Sequence, residues 1–98
     1  MKSAIEKLAA AGIQIVPSDS ESHFILEREG FVVLVERREE AFGNIATPMF
    51  LTERGFAALF WREQRPYFVG KGFEVPAEED QVRKLRSFAK DVENALQG

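Results

Sequence analysis

The feature that most restricts the fold is a pair of β-prone runs, residues 23–28 and 31–37, separated only by Glu29-Gly30. A two-residue connection with glycine in second place suits a tight antiparallel hairpin. That loop length sets Leu26 opposite Val33, Phe24 opposite Val35 and His23 opposite Glu36. It gathers Phe24, Leu26, Phe31, Val33 and Val35 on one face. A three-residue loop would instead spread the apolar side chains about equally over both faces. Sheets with one buried side favour the cleaner separation, so the first register is expected. The other face of this hairpin is mixed, with His23, Glu27 and Glu36 among Ile25, Val32 and Leu34.

The rest of the chain is arranged around that hairpin. Residues 2–11 place Ile5, Leu8 and Ala9 on one stripe at helical spacing, and Gly12 can end the helix in a left-handed conformation. Residues 13–16 suggest a short strand, stopped by Pro17 and a polar loop. Residues 39–54 hold turn signals, Gly43-Asn44 and Thr47-Pro48, and apolar residues at no steady period. They are expected to form an irregular covering loop with at most one short strand. A second hairpin is expected from residues 55–61 and 66–71 across Arg62-Glu63-Gln64-Arg65. From Pro76 to about Leu96, Val82, Leu85, Ala89, Val92 and Leu96 recur three and four apart, with Phe88 widening the stripe. Glu78, Glu79 and Asp80 suit the positive end of that helix.

The order α-β-β-β-loop-β-β-α predicts one α+β domain over residues 1–98: a largely antiparallel sheet of four to five strands, with N- and C-terminal helices packed on one face. Two helices side by side, each ~10 Å across, cover about five strands spaced ~4.8 Å apart and no more. The expected core is Leu8, Phe24, Leu26, Val33, Val35, Leu59, Trp61, Phe68, Leu85, Val92 and Leu96. The element order resembles that of the small acidic, dimeric chaperones of bacterial secretion systems, in topology alone: no motif is shared and their middle helix is missing.

Composition narrows the chemistry. The 98 residues contain no cysteine, which excludes a disulfide framework, a thiolate metal cluster and a thiol nucleophile, and suits a reducing compartment. No apolar run approaches the ~20 residues needed to span a bilayer and no secretory signal opens the chain, so a cytoplasmic protein without a membrane partner is expected. Thirteen basic against sixteen acidic residues leave a net charge of −3. Nucleic acid would therefore have to be held by a local patch.

Several constellations suggest sites. In Asp19-Ser20-Glu21-Ser22-His23, alternate residues of an extended chain aim Asp19, Glu21 and His23 to one side, acceptable ligands for zinc or manganese. The ordinary reading is stronger, because the hairpin register opposes His23 to Glu36 and, continued, Glu21 to Arg38 as cross-strand charge pairs. No metal and no cofactor is therefore assigned. His23 is the only imidazole, and Ser3, Ser18, Ser20, Ser22 and Ser87 lie in no nucleophile motif, so no catalytic residue is assigned either. Gly70-Lys71-Gly72 lacks the strand-to-helix context of a phosphate loop and suits a bend or a close backbone approach. Residues 54–61, Arg-Gly-Phe-Ala-Ala-Leu-Phe-Trp, resemble the first signature of RNA-recognition motifs. Ala58 stands where that signature places its second stacking aromatic, and a hairpin and loop precede it where that fold has strand, helix and strand. The fold is not assigned.

The second hairpin divides by parity into two unlike faces. Ala57, Leu59, Trp61, Pro66 and Phe68 form one, almost free of charge, and read as core. Arg54, Phe56, Ala58, Phe60, Arg62, Arg65, Tyr67, Val69 and Lys71 form the other, aromatic in the middle and basic around it. Either Phe42, Met49 and Phe50 of the irregular segment cover these aromatics, or they belong to an interface. The leading expectation is a non-enzymatic interaction module that docks protein through Arg54, Phe56, Phe60, Arg62, Arg65, Tyr67 and Lys71, as a homodimer or an adaptor. The alternative is binding of single-stranded nucleic acid or a nucleotide, the aromatics stacking and the basic groups meeting phosphates.

Overall fold

The computed structural model describes residues 2–39 and 41–97. Its elements run α1 (Lys2–Ala10), β1 (Gln14–Val16), β2 (His23–Arg28), β3 (Phe31–Arg38), β4 (Ala41–Ile45), β5 (Met49–Thr52), β6 (Gly55–Arg62), β7 (Arg65–Gly70), β8 (Phe73–Pro76) and α2 (Glu79–Gln97). The eight strands form one antiparallel sheet in the order β1-β2-β3-β5-β6-β7-β8, with β4 paired to β3. The sheet curls into a half-barrel, and both helices lie against its concave side. Leu8 of α1 and Leu85, Phe88, Val92 and Ala95 of α2 share a single buried cluster with Leu26, Phe31, Val33, Val35, Ala57 and Phe68.

The expected sheet of four to five strands is too small. The limit assumed a flat sheet, whereas twisted antiparallel strands coil, and here further strands wrap around the same two helices. The segment 39–54 is not a covering loop. It supplies β4 and β5, and a register shift between Val35 and Arg37 lets β4 pair with β3. Residues 73–76 form β8 where the second helix was expected to begin. Pro76 is tolerated because β8 is an edge strand. The helix starts three residues later, where the Gln81 Oε1 accepts the Glu78 backbone N–H at 2.8 Å.

Local chemistry explains the elements that were legible. The first hairpin has the expected register, Leu26 opposite Val33 and Phe24 opposite Val35. Glu29 and Gly30 both take positive φ, 54° and 88°, the requirement of a two-residue turn whose twist matches the strands. Gly12, at φ 76°, closes α1: its N–H donates to Ala9 O at 3.0 Å, and the Ile13 N–H donates to Leu8 O at 2.9 Å. The buried stripe of α2 is Val82, Leu85, Phe88, Val92 and Ala95, with Ala89 and Leu96 half-buried beside it.

Among the expected core residues, Leu8, Leu26, Val33, Val35, Phe68, Leu85 and Val92 are buried. Phe24, Leu59 and Leu96 are half-buried. Trp61 is a correction: it is 53% exposed. It lies on the core-facing side of β6, opposite Pro66. It stands near the tip of the hairpin, where it borders an open groove of about 700 Å³ together with Ala77, Val82 and Arg86. Parity gives the side a residue faces, not how far the covering helix reaches along it. Among the described residues no helix is long and apolar enough to cross a membrane.

Candidate functional site

The cross-strand register places residues on the convex side of the sheet row by row. Glu27, Val32, Met49, Ala58, Val69 and Glu74 make one row. Two residues further along β3, Ile25 and Leu34 pair on β2 and β3, and Phe60 and Tyr67 pair on β6 and β7. The next row holds His23 and Glu36 on one side and Arg62 and Arg65 on the other. In the opposite direction, Leu51 pairs with Phe56. The half-barrel has an apolar outer surface flanked by charge.

Val32, in the central row, is buried within the chain, whereas Leu34, Leu51, Phe56 and Phe60 around it are open. Phe42 and Phe50, two of the three residues named above as a possible cover for the aromatics, point into the concave side. The Phe42 ring lies 4.9 Å from that of Phe24, and the Phe50 ring 5.0 Å from those of Phe31 and Phe68. Met49 is part of the outer surface itself. Leu34 is 36%, Leu51 47%, Phe56 50% and Phe60 57% exposed. Fully burying an aromatic or a leucine is worth about 1.5–3 kcal/mol relative to water, so these exposures leave that stabilisation unrealised within the chain.

The seven residues singled out by sequence do not form one cluster. Phe60, Arg62, Arg65 and Tyr67 come together near the tip of the β6–β7 hairpin: the Arg62 guanidinium stands 5.5 Å from the Tyr67 ring centroid and its Nη2 lies 2.6 Å from Glu74 Oε1. Arg65 is exposed and makes no ion pair among the described residues. Phe56 lies four residues from Phe60 along β6, about 13 Å at strand spacing, next to Leu51. Arg54 leaves the outer surface, because its guanidinium lies 5.9 Å from the Phe73 ring and Phe73 packs against the core. Lys71 sits exposed in the β7–β8 turn. Sequence reading missed Met49 and Leu51 as members of this face. Their segment, Met49-Phe50-Leu51, is apolar on both sides and shows no alternation.

The other constellations take ordinary structural roles. His23 is opposite Glu36 as expected, whereas Arg38 pairs with Glu36 on its own strand, and the ladder ends before Glu21. Among the described residues no three His, Cys, Asp or Glu side chains gather around a common point. The Ser22 Oγ is 2.8 Å from His23 Nδ1, but the two are chain neighbours, and no third group hydrogen-bonds the imidazole among the described residues. Gly70 marks a close approach: a Cβ there would overlap the Phe73 ring and lie 2.7 Å from Phe56 O. Gly72, at φ 81°, completes a turn into a strand, not a helix. Comparison with protein families, with curated proteins and with solved structures finds no match.

Proposed function

We propose that this chain is a non-enzymatic interaction module that docks protein on the convex face of its sheet. The observation that carries the reading is the exposed apolar band, Leu34, Leu51, Phe56 and Phe60, on the side of the sheet away from both helices. Arginine beside aromatic rings, as at Arg62, Arg65 and Tyr67, is the composition of interface centres, where lysine and glutamate are depleted. The docked protein is a second copy, giving a homodimer, or a segment of another protein, giving an adaptor. The same face offers Phe56, Phe60 and Tyr67 for stacking on single-stranded nucleic acid. However, Glu27 and Glu36 lie on the other half of the same face and Glu74 already neutralises Arg62, which favours protein over a phosphate backbone.

Sedimentation equilibrium of the wild type and of a Phe60→Ser, Tyr67→Ser variant tests the reading. A concentration-dependent dimer that the two substitutions dissociate, with the chain still folded by circular dichroism, supports it. A dimer that survives them removes the face from the account. Filter binding of single-stranded RNA across a salt series separates the alternative, since phosphate contacts weaken steeply with salt. Tight, salt-sensitive binding would replace the protein reading with the nucleic-acid one.

A further inference from the structure

Resting on that reading, the geometry points to a second copy of this chain as the occupant of the convex face, related by a two-fold axis that lies over β5 along the strand direction. β5 is the central strand of the path β1-β2-β3-β5-β6-β7-β8, with three strands on either side. An axis over it sets β3 against the second copy's β6 and β2 against its β7, the aligned arrangement of two sheets packed face to face.

Two rows of the face match under this operation. Leu34 meets Phe60 and Ile25 meets Tyr67, because each pair occupies one row of the sheet. Val32 meets Ala58. In the next row His23 and Glu36 meet Arg65 and Arg62. Within a single chain Arg38 and Glu74 already neutralise Glu36 and Arg62, so the crossing pairs extend existing charge networks and Arg65 gains an acidic neighbourhood. Met49 and Leu51, on the axis strand, meet themselves. Leu34 and Ile25 are set against apolar partners and Glu36 against the opposite charge of Arg62, whereas Val69 meets Glu27 and Phe56 meets Gly30. A parallel displacement by one strand would lose this match.

The available area bounds the size of the contact. Seven strands span ~29 Å and the four rows ~20 Å, a projected face of ~580 Å². A standard interface buries about 800 Å² of accessible surface per partner, about an eighth of the 6794 Å² that the chain exposes. Curling turns the edge strands β1 and β8 away, which places the contact at the small end of stable interfaces.

A position on a two-fold axis opposes its own copy, and this gives the test. Leu51 is 47% exposed, so a charge there leaves the fold intact, which circular dichroism verifies. Sedimentation equilibrium is run on the wild type, on Leu51→Glu, on Leu51→Lys and on a 1:1 mixture of the two variants. The expected result is a wild-type dimer, at least about tenfold weaker association of each variant alone because like charges meet across the axis, and recovery in the mixture to within about threefold of wild type. Dissociation of both variants without recovery in the mixture overturns the two-fold axis while leaving the docking face. Variants that associate like the wild type overturn both, since the contact then lies elsewhere. A wild type that is monomeric at every concentration overturns the second copy as occupant.

Discussion

Replacing Phe68 by alanine should cost far more stability than replacing Trp61, although both lie on the core-facing side of the second hairpin. Phe68 is fully buried, at 0% exposure, with the Phe50 ring at 5.0 Å. Its loss removes a large aromatic and leaves a cavity beneath the sheet, a change worth about 3–5 kcal/mol. A domain of this size holds roughly 5–15 kcal/mol in all. With a urea dependence of about 1.5 kcal/mol per molar, a loss of ~4 kcal/mol lowers the unfolding midpoint by ~2.7 M. Trp61 keeps less than half of its surface covered, by Pro66, Val82 and Arg86 at the rim of an open groove. The Arg86 guanidinium lies 5.6 Å from its ring centroid. Taking ~100 Å² of covered area at ~25 cal/mol per Å² gives at most ~2.5 kcal/mol. The extended-chain reference lowers that figure and the open site leaves no cavity, so about 1–2 kcal/mol is expected. Urea titrations followed by circular dichroism compare the two variants. Equal losses, or a larger one for Trp61→Ala, would refute the assignment of the tryptophan to the open rim.

The tip of the same hairpin carries Glu63 and Gln64 at φ 52° and 66°, so Glu63→Asn with Gln64→Gly should raise stability by about 1–2 kcal/mol through relief of left-handed strain. Thermal denaturation checks this, and an unchanged or lower midpoint contradicts it. Gly70→Ala should destabilise by about 1–3 kcal/mol, because the added Cβ meets Phe73 and the Phe56 carbonyl. A neutral result in urea would show that the β7–β8 ribbon shifts freely.

What the sequence revealed depended on whether a local pattern survived in each segment. The β2–β3 hairpin was legible because its turn is two residues long and its inner face, Phe24, Leu26, Val33 and Val35, is free of charge while the other face is mixed. The parity of β6 and β7 was legible for the same reason, and the stripe of α2 because Val82, Leu85, Phe88 and Val92 keep helical spacing. β4 was hidden: Gly43 and Asn44 interrupt it, and its pairing depends on a register shift with β3 that no periodicity announces. β8 was hidden because Pro76, its last residue, also serves as a signal for the start of a helix. β5 was hidden for a reason tied to the site itself. Its inner residue Phe50 packs in the core and its outer residues Met49 and Leu51 lie on the candidate interface, so both faces are apolar and alternation vanishes. The missing strands also concealed the curl, and with it the distinction between a covered and an uncovered side. The split of Arg54 and Lys71 from the other site residues was illegible because turn residues follow the local path of the chain, not strand parity.

The central claim, that the convex face is open in one chain and closed by a partner, is tested most directly by hydroxyl-radical footprinting across a dilution series, read by mass spectrometry. Ile5 at 43% and Trp61 at 53% exposure, both off this face, serve as internal references. The account predicts that Leu51, Phe56 and Phe60 are oxidised in dilute protein in proportion to their exposure. At high concentration they become protected while Ile5 and Trp61 do not change. Protection that persists at the lowest concentration, or oxidation of Leu51, Phe56 and Phe60 that never falls relative to Ile5 and Trp61, would contradict it.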